Sequence, residues 1–496
     1  MRRGAARSED GGVTETIAGP SLSPLEFLAV LAAAVLVVAR WLPPAARSRT
    51  AVGAAAVFAA SAALLGVTGV RWQLWPVLAG GGAVLPFALV PLVRRRGSGR
   101  AARRAPWWLA LPGAAACLGL VAAGPVAAWA FPAPVFPAPS GPYAVGTRVL
   151  QWTDPDRPET FTADPDDRRT LVVQLWYPAR ESPAGTPGAP YLGRTGAEAR
   201  TVAGALAAGA GLPGFLFDDA ARARGRAVAG APVADGAERF PVVLFSPGSG
   251  GARTQNTAWA QELASHGYLV AALDHPYDSA AVVLDDGRTV RSATSSTGDR
   301  DADEELAADW TAVRAADLGF VLTRLEGLDH DGADPLAGRL DTGRVAAAGH
   351  SMGGAAALQA ARRDARIGAV IDLDGFPHGP AAPELHQPVL ALVQETTPDT
   401  DPRYPPRLAA ALAADTAPTY RLTVPGAAHL SFTDAPLYLP PVPSLVGSLG
   451  RTGAPRLVAA ATLAFLDATL RPAPGGDPAG PLSAYGALTV HRPGTG

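Results

Sequence analysis

The residues best suited to chemistry form the pentapeptide Gly349-His350-Ser351-Met352-Gly353, which fits the pattern Gly-x-Ser-x-Gly. The mostly apolar residues 344–348 precede it and predict a buried strand, and the alanine-rich residues 354–361 predict a helix. A serine at a sharp turn between a strand and a helix is a nucleophile elbow, in which the glycines let the two elements pass closely. The pattern therefore predicts that Ser351 is a nucleophile.

A serine hydroxyl becomes nucleophilic when a histidine takes its proton, and a carboxylate must orient that histidine. On the α/β-hydrolase fold, where this elbow occurs, the acid and then the histidine follow the serine along the chain. His429 lies in the loop after the last predicted strand, where the base belongs. The other histidines after Ser351 come too soon after a strand or lie in the C-terminal segment: His378, His386 and His491.

The spacing of the acidic residues leaves the third member of the triad open. Asp374 lies at the carboxyl end of the predicted strand 367–373, and Asp399 and Asp401 follow the next strand. Asp372 is deeper in its strand, and we interpret it as structural. From the residues alone, Asp374 and the Asp399/Asp401 pair are nearly equal candidates.

The elements that must position these residues alternate between strands and helices. Helical stretches at 257–264 and 304–325 lie among short apolar stretches that predict seven strands, at 171–177, 241–245, 268–273, 345–348, 367–373, 389–393 and 420–424. Such alternation predicts a mostly parallel, doubly wound sheet with helices on both faces. The predicted fold class is therefore α/β, with the α/β-hydrolase fold.

The first 131 residues contain four apolar runs, each long enough to cross a hydrocarbon core that needs about 20 residues. The runs are 22–42, 51–70, 72–93 and 107–131, and the first is weaker because Glu26 and Arg40 lie near its ends. Six of the ten tryptophans lie close to the ends of these runs, where interfacial belts are found. We therefore predict four transmembrane helices.

Arginine placement predicts how these helices are oriented. Loops one and three carry nine arginines: Arg40, Arg47, Arg49, Arg94, Arg95, Arg96, Arg100, Arg103 and Arg104. Because positive loops stay in the cytoplasm, the N-terminus and everything after residue 131 should face outward. The prediction is a multi-pass protein of the cell membrane whose large domain is extracytoplasmic.

Charge and motif content exclude several function classes. Residues 1–135 carry a net charge of +9, from 13 arginines and four acidic residues, and the remainder carries −11. An acidic soluble part makes nucleic acid an unsuitable partner. The sequence has no His-Glu-x-x-His motif, no cysteine cluster and no dinucleotide fingerprint, so no metal or cofactor is predicted. The single cysteine, Cys117, is interpreted as a packing residue in the fourth span.

Several stretches, in order along residues 140–470, resemble the plasma-type platelet-activating factor acetylhydrolases: 245–254, 263–275, the elbow, 372–377 and 426–432. In that family the acid follows the strand that corresponds to 367–373, so the resemblance favours Asp374. It also implies an oxyanion hole built from the backbone N–H groups of Met352 and Ser249. Pro247 and Ser249 stand where animal members have histidine and leucine. The four N-terminal spans resemble bacterial relatives instead.

These observations predict three segments. They are a four-helix transmembrane region at 1–135, an α/β-hydrolase domain at 136–475 and a proline- and glycine-rich loose tail at 476–496. A proline-rich stretch at 131–142 should form a stiff linker. An insert at about 190–236 is interpreted either as a lid facing lipid or as a packing insertion, with equal support.

The favoured function is that of a membrane-anchored serine esterase or lipase that cleaves carboxylic esters through an acyl-enzyme. Its substrate would be a lipid or small-molecule ester, and the resemblance implies short acyl groups on phospholipids. A catalytically silent membrane sensor on the same fold would not need Ser351, Asp374 and His429 together. A peptidase or an acyltransferase of this fold is also compatible with the residues.

Overall fold

A computed structural model describes residues 22–94, 106–294, 296–379, 384–397, 400–471 and 476–493. The chain divides after Pro132 into two units. Asp399, the N-terminal residues 1–21 and five arginines of the predicted third loop (Arg95, Arg96, Arg100, Arg103 and Arg104) lie outside the described residues.

The four apolar runs of the first unit form helices, as predicted. These are α1 (Pro24–Val38), which a 3₁₀ turn extends to Trp41, α2 (Pro44–Thr68), α3 (Trp75–Arg94) and α4 (Trp107–Ala130). α1 begins at a capping box, since the Ser23 hydroxyl accepts from the Glu26 N–H and the Glu26 carboxylate accepts from the Ser23 N–H. Glu26 also pairs with Arg71, at 3.4 Å. The start of α1 and the turn between α2 and α3 therefore lie at the same end of the unit.

The first loop differs from the prediction, because α2 begins at Pro44. Arg47 and Arg49, which were expected in a loop, lie in its first two turns. A 25-residue helix is about 37 Å long, longer than a hydrocarbon core of about 30 Å, so these turns can extend beyond it. Glycines bring the helices close together: a Cβ at Gly80 of α3 would lie 2.9 Å from the carbonyl oxygen of Cys117 in α4.

Length and hydropathy suit four of the described helices to a membrane: Pro24–Trp41, Pro44–Thr68, Ala110–Ala130 and Gly453–Leu470. The first three belong to the first unit. The fourth belongs to the second unit, where Val458 and Phe465 are buried in the core of the sheet. That helix is therefore a core helix.

The described residues of the second unit form twelve strands: β1 (Ala144–Pro158), β2 (Arg168–Ala179), β3 (Val228–Ala229), β4 (Phe240–Ser246), β5 (Leu269–Asp274), β6 (Ala281–Val283), β7 (Thr289–Arg291), β8 (Leu340–His350), β9 (Ile367–Leu373), β10 (Val389–Gln394), β11 (Thr419–Val424) and β12 (Ala487–His491). Ten form one sheet in the order β12-β11-β10-β9-β8-β4-β5-β2-β1-β3, and β6 and β7 form a separate hairpin. The six strands from β11 to β5 run parallel. This is the α/β-hydrolase arrangement.

In the part of this unit that the structure describes, nine α-helices accompany the strands: α5 (Gly196–Gly209), α6 (Asp218–Arg222), α7 (Thr257–Ser265), α8 (Arg300–His330), α9 (Met352–Arg363), α10 (Tyr404–Ala413), α11 (Pro443–Val446), α12 (Gly453–Leu470) and α13 (Ala479–Leu482). α8, α9 and α10 bury their apolar side chains against one face of the sheet, and α7 and α12 cover the other. Because both faces are covered, the central strands are apolar throughout, which made them easy to predict. All seven predicted strands are confirmed.

The prediction of a loose tail at 476–496 is wrong for the residues that the structure describes. β12 pairs antiparallel with β11, from Thr419 opposite His491 to Thr423 opposite Ala487. Leu488 and Val490 pack against the core, so this short alternating segment has an apolar face to bury. The strand was not predicted because proline and glycine on both sides of it are typical of a loose segment.

The predicted linker and insert both pack into the second unit. Phe136, in the proline-rich stretch, is buried against Tyr191, with ring centroids 4.8 Å apart. α5 of the insert is anchored by Glu198, which pairs at 2.8 Å with the buried Arg253, and Arg253 also binds Asp274. These contacts favour the interpretation of the insert as a packing element.

Removing residues 484–496 should lower the midpoint of thermal unfolding by several degrees and promote aggregation. The truncation would leave the N–H and C=O groups of β11 unpaired at the edge of the sheet. Thermal unfolding followed by fluorescence and light scattering would measure both effects, and removal of residues 494–496 alone is the matched control. Equal midpoints for the two truncations would contradict the prediction.

Candidate active site

Ser351 lies between β8 and α9 with φ 57° and ψ −124°, a left-handed conformation that is costly for a residue with a side chain. The two glycines of the motif permit the close approach around it. A Cβ at Gly349 would lie 2.1 Å from the backbone of Gly353, and one at Gly353 would lie 2.0 Å from the carbonyl oxygen of Ser246. The elbow therefore has the strained geometry that the motif predicts.

The predicted acid and base are adjacent. His429 lies in the 3₁₀ turn after β11, and its Nδ1 is 2.7 Å from Oδ2 of Asp374. Asp374 directly follows β9, and its other oxygen, Oδ1, accepts from the N–H of Gln394 at 2.9 Å. With Nδ1–H donated to Asp374, Nε2 of His429 is the nitrogen able to take a proton. Ser351, Asp374 and His429 line a common cavity of about 330 Å³, called the Ser351 cavity below.

The other candidate acids are engaged elsewhere. Asp401 pairs with Arg403 at 2.8 Å, and hydrogen bonds from Arg403 lower the pKa of Asp401 to about 2. Asp372 is fully buried, and its Oδ1 accepts from the N–H of Gly375 at 2.9 Å. Burial and the neighbouring Asp374 raise the pKa of Asp372 well above its usual value. Among the described carboxylates named as candidates, Asp374 is the one that contacts His429.

The loop after β4 also lies close to Ser351. A Cβ at Gly248 would lie 3.5 Å from Cβ of Ser351. The buried Arg314 of α8 donates to the carbonyl oxygens of Pro247 and Gly248. Because a trans peptide points its N–H opposite to its C=O, the amides of Gly248 and Ser249 are turned away from Arg314. Arg314 thereby fixes the orientation of the amide group of Ser249.

The predicted oxyanion donors, the backbone N–H groups of Met352 and Ser249, come from different segments, and both are available to donate a hydrogen bond. Met352 is the first residue of α9, so its N–H has no partner within the helix. The N–H of Ser249 has no acceptor among the described residues, whereas that of Gly248 donates to Oε1 of Gln255 at 3.0 Å. Two backbone N–H groups are therefore available as donors, that of Met352 directly after Ser351 and that of Ser249 in the loop after β4.

His350, the variable residue of the elbow, connects this loop to His429. Nδ1 of His350 is 2.8 Å from Nε2 of Gln255, and Nε2 of His350 is 3.0 Å from the carbonyl oxygen of His429. Burial and the His429 ring lower the pKa of His350 well below its usual value, so the neutral imidazole accepts from Gln255 and donates to His429. No sequence pattern predicts this role of His350, since Gln255, His350 and His429 are far apart in the chain.

A second Ser–His–Asp set lies inside the unit, and it has no access to solvent. Nδ1 of His275 is 2.8 Å from Oδ2 of Asp317, and Nε2 is 2.9 Å from Oγ of Ser246. All three residues are fully buried, and burial lowers the pKa of His275. Asp317 also pairs with the buried Arg169 at 2.8 Å. The set braces the start of the loop after β4, so the role of His275 is structural.

Comparison with known proteins gives one family and several relatives. The sequence model described as "Platelet-activating factor acetylhydrolase, isoform II" matches residues 129–297 and 299–471. A probable 1-alkyl-2-acetylglycerophosphocholine esterase of Arthroderma benhamiae is 31% identical over 137 residues, 27% of this chain and 31% of that protein. The platelet-activating factor acetylhydrolase of Cavia porcellus is 33% identical over 161 residues, 29% of this chain and 37% of that protein. The chain thus spans about a third of the length of these relatives.

Among solved structures, a ferulic acid esterase from Streptomyces cinnamoneus superposes with a TM-score of 0.57 at 32% identity. The match covers 72% of this chain and 98% of the esterase. The structural similarity therefore extends over almost the whole of the esterase.

Asp374→Asn should lower kcat by roughly three to four orders of magnitude, because the amide favours the wrong tautomer of the imidazole. Hydrolysis of a p-nitrophenyl ester would measure the loss. Asp401→Asn removes a carboxylate from the same cavity and is the matched control, expected to retain most activity. A larger loss in Asp401→Asn than in Asp374→Asn would contradict this assignment.

Asp372→Asn tests whether Asp372 is structural, in contrast to Asp374 at the end of the same strand, and the variant should retain activity. The pKa of Asp372 is higher in the folded protein than in the unfolded chain, so there is a pH range in which Asp372 is protonated when folded and ionised when unfolded. Within that range Asp372 lowers the free energy of unfolding as the pH rises. The free energy of unfolding of the variant, relative to the parent, should therefore increase between pH 4 and pH 8.

Proposed function

Since this chain belongs to the platelet-activating factor acetylhydrolase family, isoform II, we propose that its second unit is a serine hydrolase that cleaves carboxylic esters through an acyl-enzyme. The single observation that carries the proposal is the 2.7 Å contact between His429 and Asp374 in the cavity that Ser351 lines. The named relatives, an acetyl-ester esterase and a ferulic acid esterase, support an ester as the substrate.

In the proposed mechanism, Nε2 of His429 takes the proton of the Ser351 hydroxyl as its oxygen attacks the ester carbonyl. The backbone N–H groups of Met352 and Ser249 stabilise the oxyanion, each by about 3–4 kcal/mol. The protonated His429, held by Asp374, then gives its proton to the leaving alcohol. Water repeats the sequence on the acyl-enzyme and releases the acid.

The size of the cavity supports short acyl groups. Its volume of about 330 Å³ is at the lower end of the roughly 300–1,000 Å³ usual for ligand sites. We therefore propose small-molecule or lipid esters with short acyl chains as substrates. A catalytically silent sensor would have no use for a histidine that a carboxylate holds in the same cavity as a strained serine. A peptidase or an acyltransferase is distinguished by assaying amides and added alcohols beside esters.

Ser351→Ala should abolish covalent labelling by a fluorophosphonate and lower esterase activity by several orders of magnitude, since no other group can form the acyl-enzyme. Gel fluorescence and p-nitrophenyl esters of rising chain length would test both. Ser246→Ala is the matched control, because the buried Ser246 should never be labelled. Undiminished labelling of Ser351→Ala would contradict the proposal.

We further propose that the first unit anchors the protein in the cell membrane with the hydrolase unit outside. The charge-free runs 51–70, 72–93 and 107–131, and the arginines between the end of α1 and the first turns of α2 (Arg40, Arg47 and Arg49), support this orientation. An even number of spans would return the chain to the side where it began. The substrate would then be met in the envelope, the outer leaflet or the medium.

An alkaline phosphatase fusion after Pro142 should be active, because that reporter folds outside the cytoplasm. A fusion in the loop at 95–104 should be inactive and is the control for expression. Protease added to intact cells should cleave after residue 140 and leave that loop protected. An inactive fusion at Pro142 together with a fluorescent cytoplasmic reporter at the same site would overturn the orientation and leave the proposed chemistry standing.

A further inference from the structure

The Ser351 cavity extends beyond the residues that the proposed chemistry needs. From Ser351 it continues along β10 and β11 to α10, and Val393, Tyr404 and Leu408 line this part. Arg421 of β11 is also part of its wall. The proposed mechanism assigns no task to a cation on this side of the nucleophile.

Arg421 has no protein partner among the described residues. Its guanidinium forms no hydrogen bond or ion pair with them, and its Nε is buried without an acceptor. The neighbouring cations differ in this respect: Arg403 binds Asp401, and Arg407 binds Glu304. A buried guanidinium nitrogen without an acceptor is costly, so its position requires an explanation.

The strand register places Arg421 on the face of the sheet that α10 covers. Arg421 is level with Ala391 of β10, which packs in the same cluster as Leu408. Tyr420 and Leu422, its neighbours in the chain, face the opposite cluster. The backbone of β11 thus directs the side chain of Arg421 under α10 and toward the cavity.

The carboxyl groups nearby do not neutralise Arg421. Asp372 is in the same row of the sheet, but Ala391 lies between them, so their backbones are about 10 Å apart. Oδ1 of the buried carboxyl group of Asp372 accepts from the N–H of Gly375, Asp374 contacts His429, and Asp401 pairs with Arg403. Arg421 is therefore a cation without a carboxylate partner among the described residues, and it lies in the cavity beside an apolar wall.

We propose that Arg421 is an anion-binding subsite, which binds a carboxylate or phosphate group carried by the ester that Ser351 attacks. A guanidinium matches two oxygens of such a group with parallel N–H donors, and the apolar surroundings strengthen the pair. The anionic group can belong to the acyl half or to the alcohol half of the ester. This inference rests on the proposed ester hydrolysis, and it adds that esters with a negative charge near the scissile bond are preferred.

Two pairs of substrates test the subsite, and they distinguish an anionic group in the acyl half of the ester from one in the alcohol half. p-Nitrophenyl hydrogen glutarate against p-nitrophenyl pentanoate places the carboxylate in the acyl half. 3-Carboxyphenyl acetate against 3-methylphenyl acetate places it in the alcohol half. Arg421→Gln should lower kcat/KM for the anionic member of one pair by about tenfold to a hundredfold, the usual worth of a hydrogen bond to a charged group. The neutral members should change less than about twofold, and Arg421→Lys should recover part of the loss.

Arg407→Gln, which removes a cation of α10 that Glu304 already neutralises, is the matched control and should leave both ratios unchanged. Equal effects of Arg421→Gln on anionic and neutral esters, or no effect on either anionic ester, would overturn the subsite. Circular dichroism and thermal unfolding would verify that the variants are folded.

A binding measurement separates this inference from the proposed function. In the Ser351→Ala background, calorimetric titration with glutarate should detect binding, and adding Arg421→Gln should remove it. Equal glutarate binding in both proteins overturns the subsite even if esters are cleaved. Absence of hydrolysis of every ester, together with glutarate binding that depends on Arg421, overturns the proposed function and leaves the subsite standing.

Discussion

The ends of β4 and β8 and the start of α9 meet around Ser351 at distances that only glycine allows, and the rest of the site depends on this close packing. The N–H of Ser351 donates to the carbonyl of Leu373, and its carbonyl accepts from the N–H of Gly354, both at 2.9 Å. These bonds tie the turn to β9 on one side and to α9 on the other, which stabilises a backbone conformation that would otherwise be strained. Because the parallel strands end at the same edge of the sheet, Asp374 after β9 and His429 after β11 reach this point from their own loops.

The loops around the turn are held mainly by buried arginines. Arg314 binds two carbonyls of the loop after β4, Arg253 joins α5 to Asp274, and Arg169 pairs with Asp317. The sequence contains no lysine, so every buried cation has the planar group with five donors. One such side chain can satisfy several carbonyls or carboxylates at once, which offsets the cost of burying its charge.

The sequence predicted best what local pattern determines. Central strands are apolar throughout, and the elbow is a contiguous motif, so both were found and both hold in the structure. β1 was missed because charged residues such as Arg148 and Asp154 interrupt its alternation, and β12 was mistaken for a tail because its five residues are surrounded by proline and glycine. Arg314 and Gln255 contact the site from remote positions, and Arg421 differs from a surface arginine only in what surrounds it. No residue pattern signals such contacts, because they depend on the folded chain.

The position of β12 also has a consequence for the order in which this unit can be completed. β11 ends at Val424, but its outer neighbour begins only at Ala487, after α11, α12 and α13 have been made. During synthesis the outer edge of β11 therefore has no partner strand until β12 has been made. An unpaired edge of this kind recruits other strands, and β12 is the strand that covers it.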